Sequence, residues 1–188
     1  MKLILGSASP RRLELLSKIK VYPDEVISSN IDETIKKNEL PINYCQRIAY
    51  EKLSHFRNKF NESIILTADT IAYSGRTLLD KTNDKNIATQ NLLKLSGKRH
   101  RVSTSICIRN EKNKILKKTV TTTVCFKRLS NKDIDEYMNS GDWKGVAGSY
   151  KIQGEAESFI KFINGSYSNV VGLPLYEAKN LLISAGYK

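Results

Sequence analysis

The segment that most limits how this chain can fold is SIILTADTIAY, residues 63–73, which is apolar over almost its whole length. Such a run without alternation predicts a strand buried on both faces, at the centre of a sheet covered by helices. Asp69 interrupts the run, and burying an unpaired carboxylate is strongly unfavourable. Asp69 therefore either meets a metal, a cation or the open carboxyl end of the strand, where ligands bind, or caps a neighbouring turn in a structural role.

Helix-start signals and hydrophobic periodicity place helices and strands in alternation around this run. Further strands are predicted over 2–6, 22–29, 102–108, 120–126 and 159–163, with the third and fourth joined as a hairpin. Helices are predicted over 9–20, 41–60, 84–95, 130–141 and 174–186. The four-glycine segment GDWKGVAGSYKIQG, residues 141–154, is expected to be a structured loop. Alternation with an internal hairpin predicts an α/β fold with a mixed sheet.

Composition excludes several classes of protein. No apolar stretch approaches the roughly 20 residues of a membrane helix, and the short run Leu3–Leu5 does not resemble a signal peptide, so a cytoplasmic protein is expected. The three cysteines and two histidines show no metal-binding or disulfide spacing. The net charge of +12 favours polyanionic ligands, nucleotides included, but it is scattered and lacks the aromatic–basic interleaving of a single-strand platform. The charge alone does not decide between nucleotides and nucleic acid.

The segment GSASPRR, residues 6–12, predicts a strand, a small-residue turn and a helix N-terminus, which together form a ready site for an anion. Arg11 and Arg12 in the first helical turn oppose the helix dipole by a few tenths of a kcal/mol, and a bound phosphate would reverse that sign. Ser7 could add a hydroxyl donor. The alternative, weighed equally from this stretch alone, is that both arginines are solvated and Ser9 is only a cap.

Two more residues break their local pattern. Lys52 falls within the apolar stripe of the helix predicted over 41–60, where it either extends to solvent or reaches a phosphate site. Gln153 stands among glycines that allow close backbone approach, and it could read a base edge or belong to a plain turn. An anion pocket, a buried carboxylate and a glycine loop together predict metal-assisted nucleotide chemistry.

The chain resembles the Maf family of nucleoside triphosphate pyrophosphatases. The resemblance is carried, in order along the chain, by SASPRRLELL, RIAYEKL, ADT, LSGKRHRV, AGSYKIQG and NGSYSNVVGLPL. Each motif is short, but the ordered set covers nearly the whole chain and is specific.

The resemblance implies a single domain over residues 1–188, with an elongated mixed sheet flanked by helices and two lobes with a cleft, similar to the inosine-triphosphate pyrophosphatase fold. It implies hydrolysis of a nucleoside triphosphate to monophosphate and pyrophosphate with Mg²⁺ or Mn²⁺. It also implies a homodimer. No membrane partner is expected, and nucleic acid is not the favoured partner.

Carried over by position, Asp69 would be the catalytic residue, and Glu33 and Asp69 would hold the metal. The resemblance implies a phosphate site formed by Ser7, Arg11, Arg12, Lys52 and Lys81. Arg11, Thr70 and Gln153 match positions that determine substrate choice, and this set resembles the branch that prefers dTTP and UTP.

The sequence also departs from the family pattern beside the expected pocket, at Asp80, Thr82, Val146 and Lys151. A 7-methyl-GTP-type or broad-range pyrophosphatase therefore stays open as an alternative. A non-enzymatic, nucleic-acid-binding regulator of cell division and a nucleotide kinase are further alternatives, although the kinase would need a P-loop and none is present.

Overall fold

The computed structural model describes residues 2–57 and 59–188. Its strands are β1 (Lys2–Leu5), β2 (Glu25–Val26), β3 (Ser63–Ser74), β4 (Thr77–Leu79), β5 (Arg99–Arg109), β6 (Ile115–Phe126) and β7 (Ile160–Asn164). Its α-helices are α1 (Pro10–Lys18), α2 (Pro41–Ser54), α3 (Lys85–Leu95), α4 (Asn131–Ser140), α5 (Tyr167–Val171) and α6 (Leu175–Ser184). The expected mixed α/β architecture is confirmed.

The seven strands form one mixed sheet in the order β2-β1-β3-β5-β6-β7, with β4 paired to β3. Strand β1 runs parallel to β3, with Leu5 opposite Leu66, whereas β7 runs antiparallel to β6. Eleven of the twelve residues of β3 are buried, as its continuous apolar run predicts. Asp69 thus lies in the middle of a covered strand.

The chain divides into two compact units. The first comprises residues 1–70, 104–120 and 172–188, and the second comprises residues 71–103 and 121–171. Strands β3, β5 and β6 contribute residues to both units. The single domain and the two-lobed cleft implied by the family resemblance stay predictions.

Local signals account for where three of the helices begin. Ser9 has the extended backbone of an N-cap before Pro10, although its side chain forms no capping hydrogen bond. Asp84 accepts hydrogen bonds from the amides of Asn86 and Ile87 at the start of α3. Ser130 and Asp133 form a reciprocal capping box at the start of α4, as their spacing predicts.

The observed elements differ from the predicted ones at a few places. Helix α2 ends at Ser54 rather than near residue 60, and Asn58 lies outside the described residues. The buried Arg109 explains the earlier end, because its guanidinium binds the carbonyls of Phe56, Arg57, Lys59 and Phe60 and so stabilises a turned chain there. The second strand is only two residues long, and the short elements β4 and α5 were not predicted.

None of the helices in residues 2–57 and 59–188 is both long enough and apolar enough to cross a membrane.

Candidate active site

Ser7 and Arg12 meet where β1 passes into α1. Arg12 Nη1 donates a hydrogen bond to Ser7 Oγ at 2.8 Å, and the Ser9 amide donates to the same oxygen at 3.2 Å. Both Ser7 and Arg12 are buried. The small residues of the turn therefore bring a guanidinium, a hydroxyl and the start of a helix into one place, which is the arrangement expected for an anion site.

Arg12 also binds two groups far away in the sequence. Its Nε donates to the carbonyl of Gly172 at 3.0 Å, and its Nη2 donates to Thr70 Oγ1 at 3.1 Å. Thr70 Oγ1 lies 3.2 Å from the same Gly172 carbonyl and 3.0 Å from Thr104 Oγ1. Three of the five N–H groups of the guanidinium are thus used by the protein, and one on each terminal nitrogen is left for a ligand.

Arg11 is placed differently from its neighbour. It is half-buried, and among the described residues no hydrogen bond or ion pair to its guanidinium is formed. Burial lowers the pKa of both arginines from their ordinary value; the Glu14 carboxylate opposes this effect at Arg11, and the Asp69 carboxylate opposes it at Arg12. The Arg11 guanidinium is therefore without a protein hydrogen bond among the described residues, whereas the Arg12 guanidinium is partly used by the protein.

Asp69, Lys52 and Glu33 form a second cluster in the same unit. Lys52 Nζ lies 2.9 Å from Asp69 Oδ1 and 2.9 Å from Glu33 Oε1. Asp69 and Lys52 are buried, and the Glu33 side chain is 42% exposed. The lysine in the apolar stripe of α2 therefore does not extend to solvent, because the buried carboxylate on β3 compensates its charge.

Helix α2 positions this cluster. Lys52 and Cys45 lie seven residues apart and so share one helix face, and Cys45 Sγ donates to the Asp69 carbonyl at 3.4 Å. Tyr44 Oη donates to the Glu33 carbonyl at 2.8 Å and so fixes the loop that presents the Glu33 carboxylate. Burial and the nearby Asp69 carboxylate raise the pKa of the Cys45 thiol. The thiol therefore stays protonated and acts as a buried hydrogen-bond donor rather than a nucleophile.

The donor set at Lys52 suits a hard divalent cation. The described residues hold no group of three or more histidine, cysteine or carboxylate side chains that could bind a metal. Two carboxylates, of Glu33 and Asp69, nevertheless converge on one positive charge, the Lys52 ammonium. Mg²⁺ in nucleotide enzymes is held by one or two carboxylates together with substrate phosphates, so these residues fit the implied ion.

Lys81 and Gln153 belong to the second unit. Lys81 lies on the exposed segment between β4 and α3, and Gln153 is half-buried in the turn closed by the Gly154 amide and the Lys151 carbonyl at 3.1 Å. In the first unit, the fold brings together six of the predicted site residues: Ser7, Arg12, Glu33, Lys52, Asp69 and Thr70.

Several groups that hold the site residues in place were not predicted from the sequence. The Gly172 carbonyl accepts from both Arg12 and Thr70, and Tyr44 and Thr104 hold Glu33 and Thr70. Gly172 lies within the quoted motif NGSYSNVVGLPL, so its segment carried a signal. No signal in the sequence separates Tyr44 or Thr104 from ordinary core residues.

Comparison with known proteins agrees with the resemblance in the sequence. A protein from Zymomonas mobilis named dTTP/UTP pyrophosphatase is 48% identical over 185 residues, covering 98% of this chain and 92% of the relative. One from Anaplasma marginale named nucleoside triphosphate pyrophosphatase is 45% identical over 180 residues, covering 96% of this chain and 92% of the relative.

Among solved structures, a nucleoside-triphosphatase (dITP/XTP pyrophosphatase) from Mycobacterium abscessus aligns with a TM-score of 0.41 at 14% identity, covering 69% of this chain and 74% of that one. The family model described as Maf-like protein matches residues 2–185. The chain therefore belongs to the Maf-like protein family.

Proposed function

We propose that this protein hydrolyses nucleoside triphosphates to monophosphates and pyrophosphate, with dTTP and UTP as preferred substrates. The observation that carries the proposal is that the Lys52 ammonium contacts the carboxylates of both Asp69 and Glu33. The chain that holds this cluster is 48% identical to a protein named dTTP/UTP pyrophosphatase. Membership of the Maf-like family and the anion site at Ser7 and Arg12 support it.

The reaction needs a water molecule delivered to the α phosphorus. Lys52 occupies Oδ1 of Asp69, and none of the described residues donates a hydrogen bond to Oδ2. Asp69 Oδ2 can take a proton from the water while the water oxygen bonds to the α phosphorus. At the same time the bond between the α phosphorus and the oxygen that bridges to the β phosphorus breaks. The electron pair of the broken bond leaves with pyrophosphate, so atoms and charges balance without a covalent intermediate on the protein.

The leaving pyrophosphate needs positive charge. Arg11 presents a guanidinium without a protein partner among the described residues, and Arg12 has N–H groups left beside Ser7. Lys52 adds an ammonium already held in place by Asp69. Arg12 and Lys52 are held in place before the reaction, and such fixed cations stabilise the developing charge without reorganisation, which is the main source of catalysis in phosphoryl chemistry.

Glu33 and Asp69 would hold Mg²⁺ or Mn²⁺ in this proposal. A bound divalent cation would supply Lewis-acid charge to the phosphate oxygens. A homodimer is proposed with the family resemblance as its support, and a cytoplasmic location stays a prediction from the sequence.

A panel of nucleoside triphosphates, incubated with Mg²⁺ or Mn²⁺ and followed by pyrophosphate release, tests the proposal. We expect dTTP and UTP to be cleaved best, and Asp69→Asn to lower kcat at least about a hundredfold. Asp135→Asn, a matched change at an exposed carboxylate of α4, should leave the rate unchanged. Cleavage of none of the nucleotides by the wild-type protein would contradict the proposed activity, and a best rate with 7-methyl-GTP would contradict only the substrate.

A further inference from the structure

One buried amide in the second unit joins the two segments that carry Lys81 and Gln153. Asn91 lies on α3 and is only 4% exposed. Its Nδ2 donates to Ser149 Oγ at 2.9 Å and to the Asp80 carbonyl at 3.3 Å. Both hydrogens of the Asn91 amide nitrogen are therefore used, one by a side-chain hydroxyl and one by a main-chain carbonyl.

The segment around Lys81 is held on both sides. Asn91 binds the carbonyl of Asp80, just before Lys81. The Gly145 amide donates to the carbonyl of Thr82, just after it, at 3.1 Å. Backbone hydrogen bonds on both neighbours fix the direction in which the Lys81 side chain leaves the chain.

The segment before Gln153 is held at three successive residues. Ser149 binds Asn91, Tyr150 Oη lies 2.8 Å from His100 Nε2, and the Lys151 amide donates to Tyr137 Oη at 3.0 Å. The three partners come from α3, β5 and α4. Ser149 has a left-handed backbone, with φ of 57°, a conformation that persists only where the surroundings determine it.

We propose that Asn91 is a positioning residue, which holds the Lys81 segment and the Gln153 turn in one fixed arrangement through its single amide nitrogen. The proposal rests on the proposed function, in which Lys81 binds phosphate and Gln153 contributes to the choice of base. A polar group that is held before the substrate arrives binds it without paying the entropy of ordering. Loss of the amide should therefore weaken substrate binding and base selection rather than the chemical step.

Two substitutions distinguish the effects of the two hydrogen bonds of Asn91. Asn91→Leu keeps the number of side-chain heavy atoms and the branching at Cγ and removes both hydrogen bonds, whereas Ser149→Ala removes only the bond to the Gln153 segment. Leu92→Val, at the buried neighbouring position on α3, disturbs packing without touching either bond and serves as the control. The readouts are KM and kcat for dTTP, the ratio of kcat/KM between dTTP and dATP, and the Ki of inorganic tripolyphosphate, which has phosphates and no base.

For Asn91→Leu we expect KM for dTTP and the Ki of tripolyphosphate to rise about tenfold, the dTTP/dATP ratio to fall about tenfold, and kcat to change less than about twofold. Ser149→Ala should lower the ratio alone and keep the Ki of tripolyphosphate. Leu92→Val should lower only the denaturation midpoint. Unchanged KM, Ki and ratio in Asn91→Leu, or the same changes in Leu92→Val, would overturn the proposal.

A failure of the positioning role can be distinguished from a failure of the proposed pyrophosphatase activity. If Asn91→Leu does not fold, an unchanged ratio in Ser149→Ala overturns the proposal by itself. If the wild-type protein cleaves no nucleotide, calorimetry of dTTP and tripolyphosphate binding to the same proteins replaces the kinetics. Weaker binding of both probes to Asn91→Leu then supports the positioning role, and equal Kd values contradict it.

Discussion

The ammonium of Lys52 lies 2.9 Å from Asp69 Oδ1, and both side chains are shielded from water. In a buried ion pair, removal of one partner leaves an uncompensated charge and costs about 3–5 kcal/mol. The two residues therefore depend on each other for folding.

We expect Lys52→Met to lower the free energy of unfolding by about 3 kcal/mol, because Asp69 stays buried without its partner. Adding Asp69→Asn to Lys52→Met should recover part of that loss, since the neutral amide needs no compensating charge. Urea denaturation of both single variants and the double variant measures the coupling. Additive losses would contradict a direct interaction, and Lys37→Met, at an exposed lysine of the same unit, provides the control.

The two adjacent arginines should respond differently to truncation. Arg12→Ala removes hydrogen bonds to Ser7, Thr70 and Gly172 and should lower the free energy of unfolding by about 2–4 kcal/mol. Arg11→Ala should change the free energy of unfolding by less than about 0.5 kcal/mol. It should raise KM, because the Arg11 guanidinium is proposed to bind the phosphates. Chemical denaturation and steady-state kinetics of both variants measure these effects. Equal losses of stability in the two variants would contradict the predicted difference between Arg11 and Arg12.

Removal of divalent cations with EDTA should abolish pyrophosphate release, and Mg²⁺ or Mn²⁺ should restore it. We expect Glu33→Gln to raise the metal concentration for half-maximal activity about tenfold, because affinity depends on the number of charged ligands. Its effect on stability should be small, since the Glu33 side chain is 42% exposed. A metal titration of Glu33→Gln beside Glu62→Gln, at an exposed carboxylate of the same unit, measures the effect; matching curves would remove Glu33 from the metal site.

Acidification should destabilise the protein through His100. Burial lowers the pKa of His100 to about 4 from its ordinary 6.5. Between these two pH values the imidazole therefore binds a proton in the unfolded chain but not in the folded chain. Stability from this residue is complete above pH 6.5 and is lost as the pH falls towards 4, by about 3 kcal/mol in all.

Urea unfolding at pH 7 and pH 5 measures this loss. The decrease between the two values should be smaller in His100→Gln than in the wild-type protein, because glutamine does not titrate. His55→Gln, at the exposed histidine after α2, should keep the wild-type decrease. An identical decrease in His100→Gln would show that other groups account for the acid sensitivity.

Local patterns predicted most of the elements because their causes are local. The apolar run over 63–73 identified β3, and the caps at Asp84 and Ser130 identified the starts of α3 and α4. The end of α2 could not be predicted in this way, since it depends on carbonyl contacts to Arg109, which lies about fifty residues later in the chain. Short elements such as β4 and α5 contain too few residues to show a period.

The family, the mixed α/β class and the residue types that phosphate and metal chemistry need are all evident in the amino-acid sequence. The contacts that each of these residues makes depend on the tertiary structure. Neighbouring side chains on a helix point about 100° apart, so the packing of α1 turns Arg12 onto Thr70 and Gly172 and leaves Arg11 without a protein partner among the described residues. The pairing of Lys52 with Asp69 depends likewise on how α2 lies against β3, which no pattern within either segment specifies.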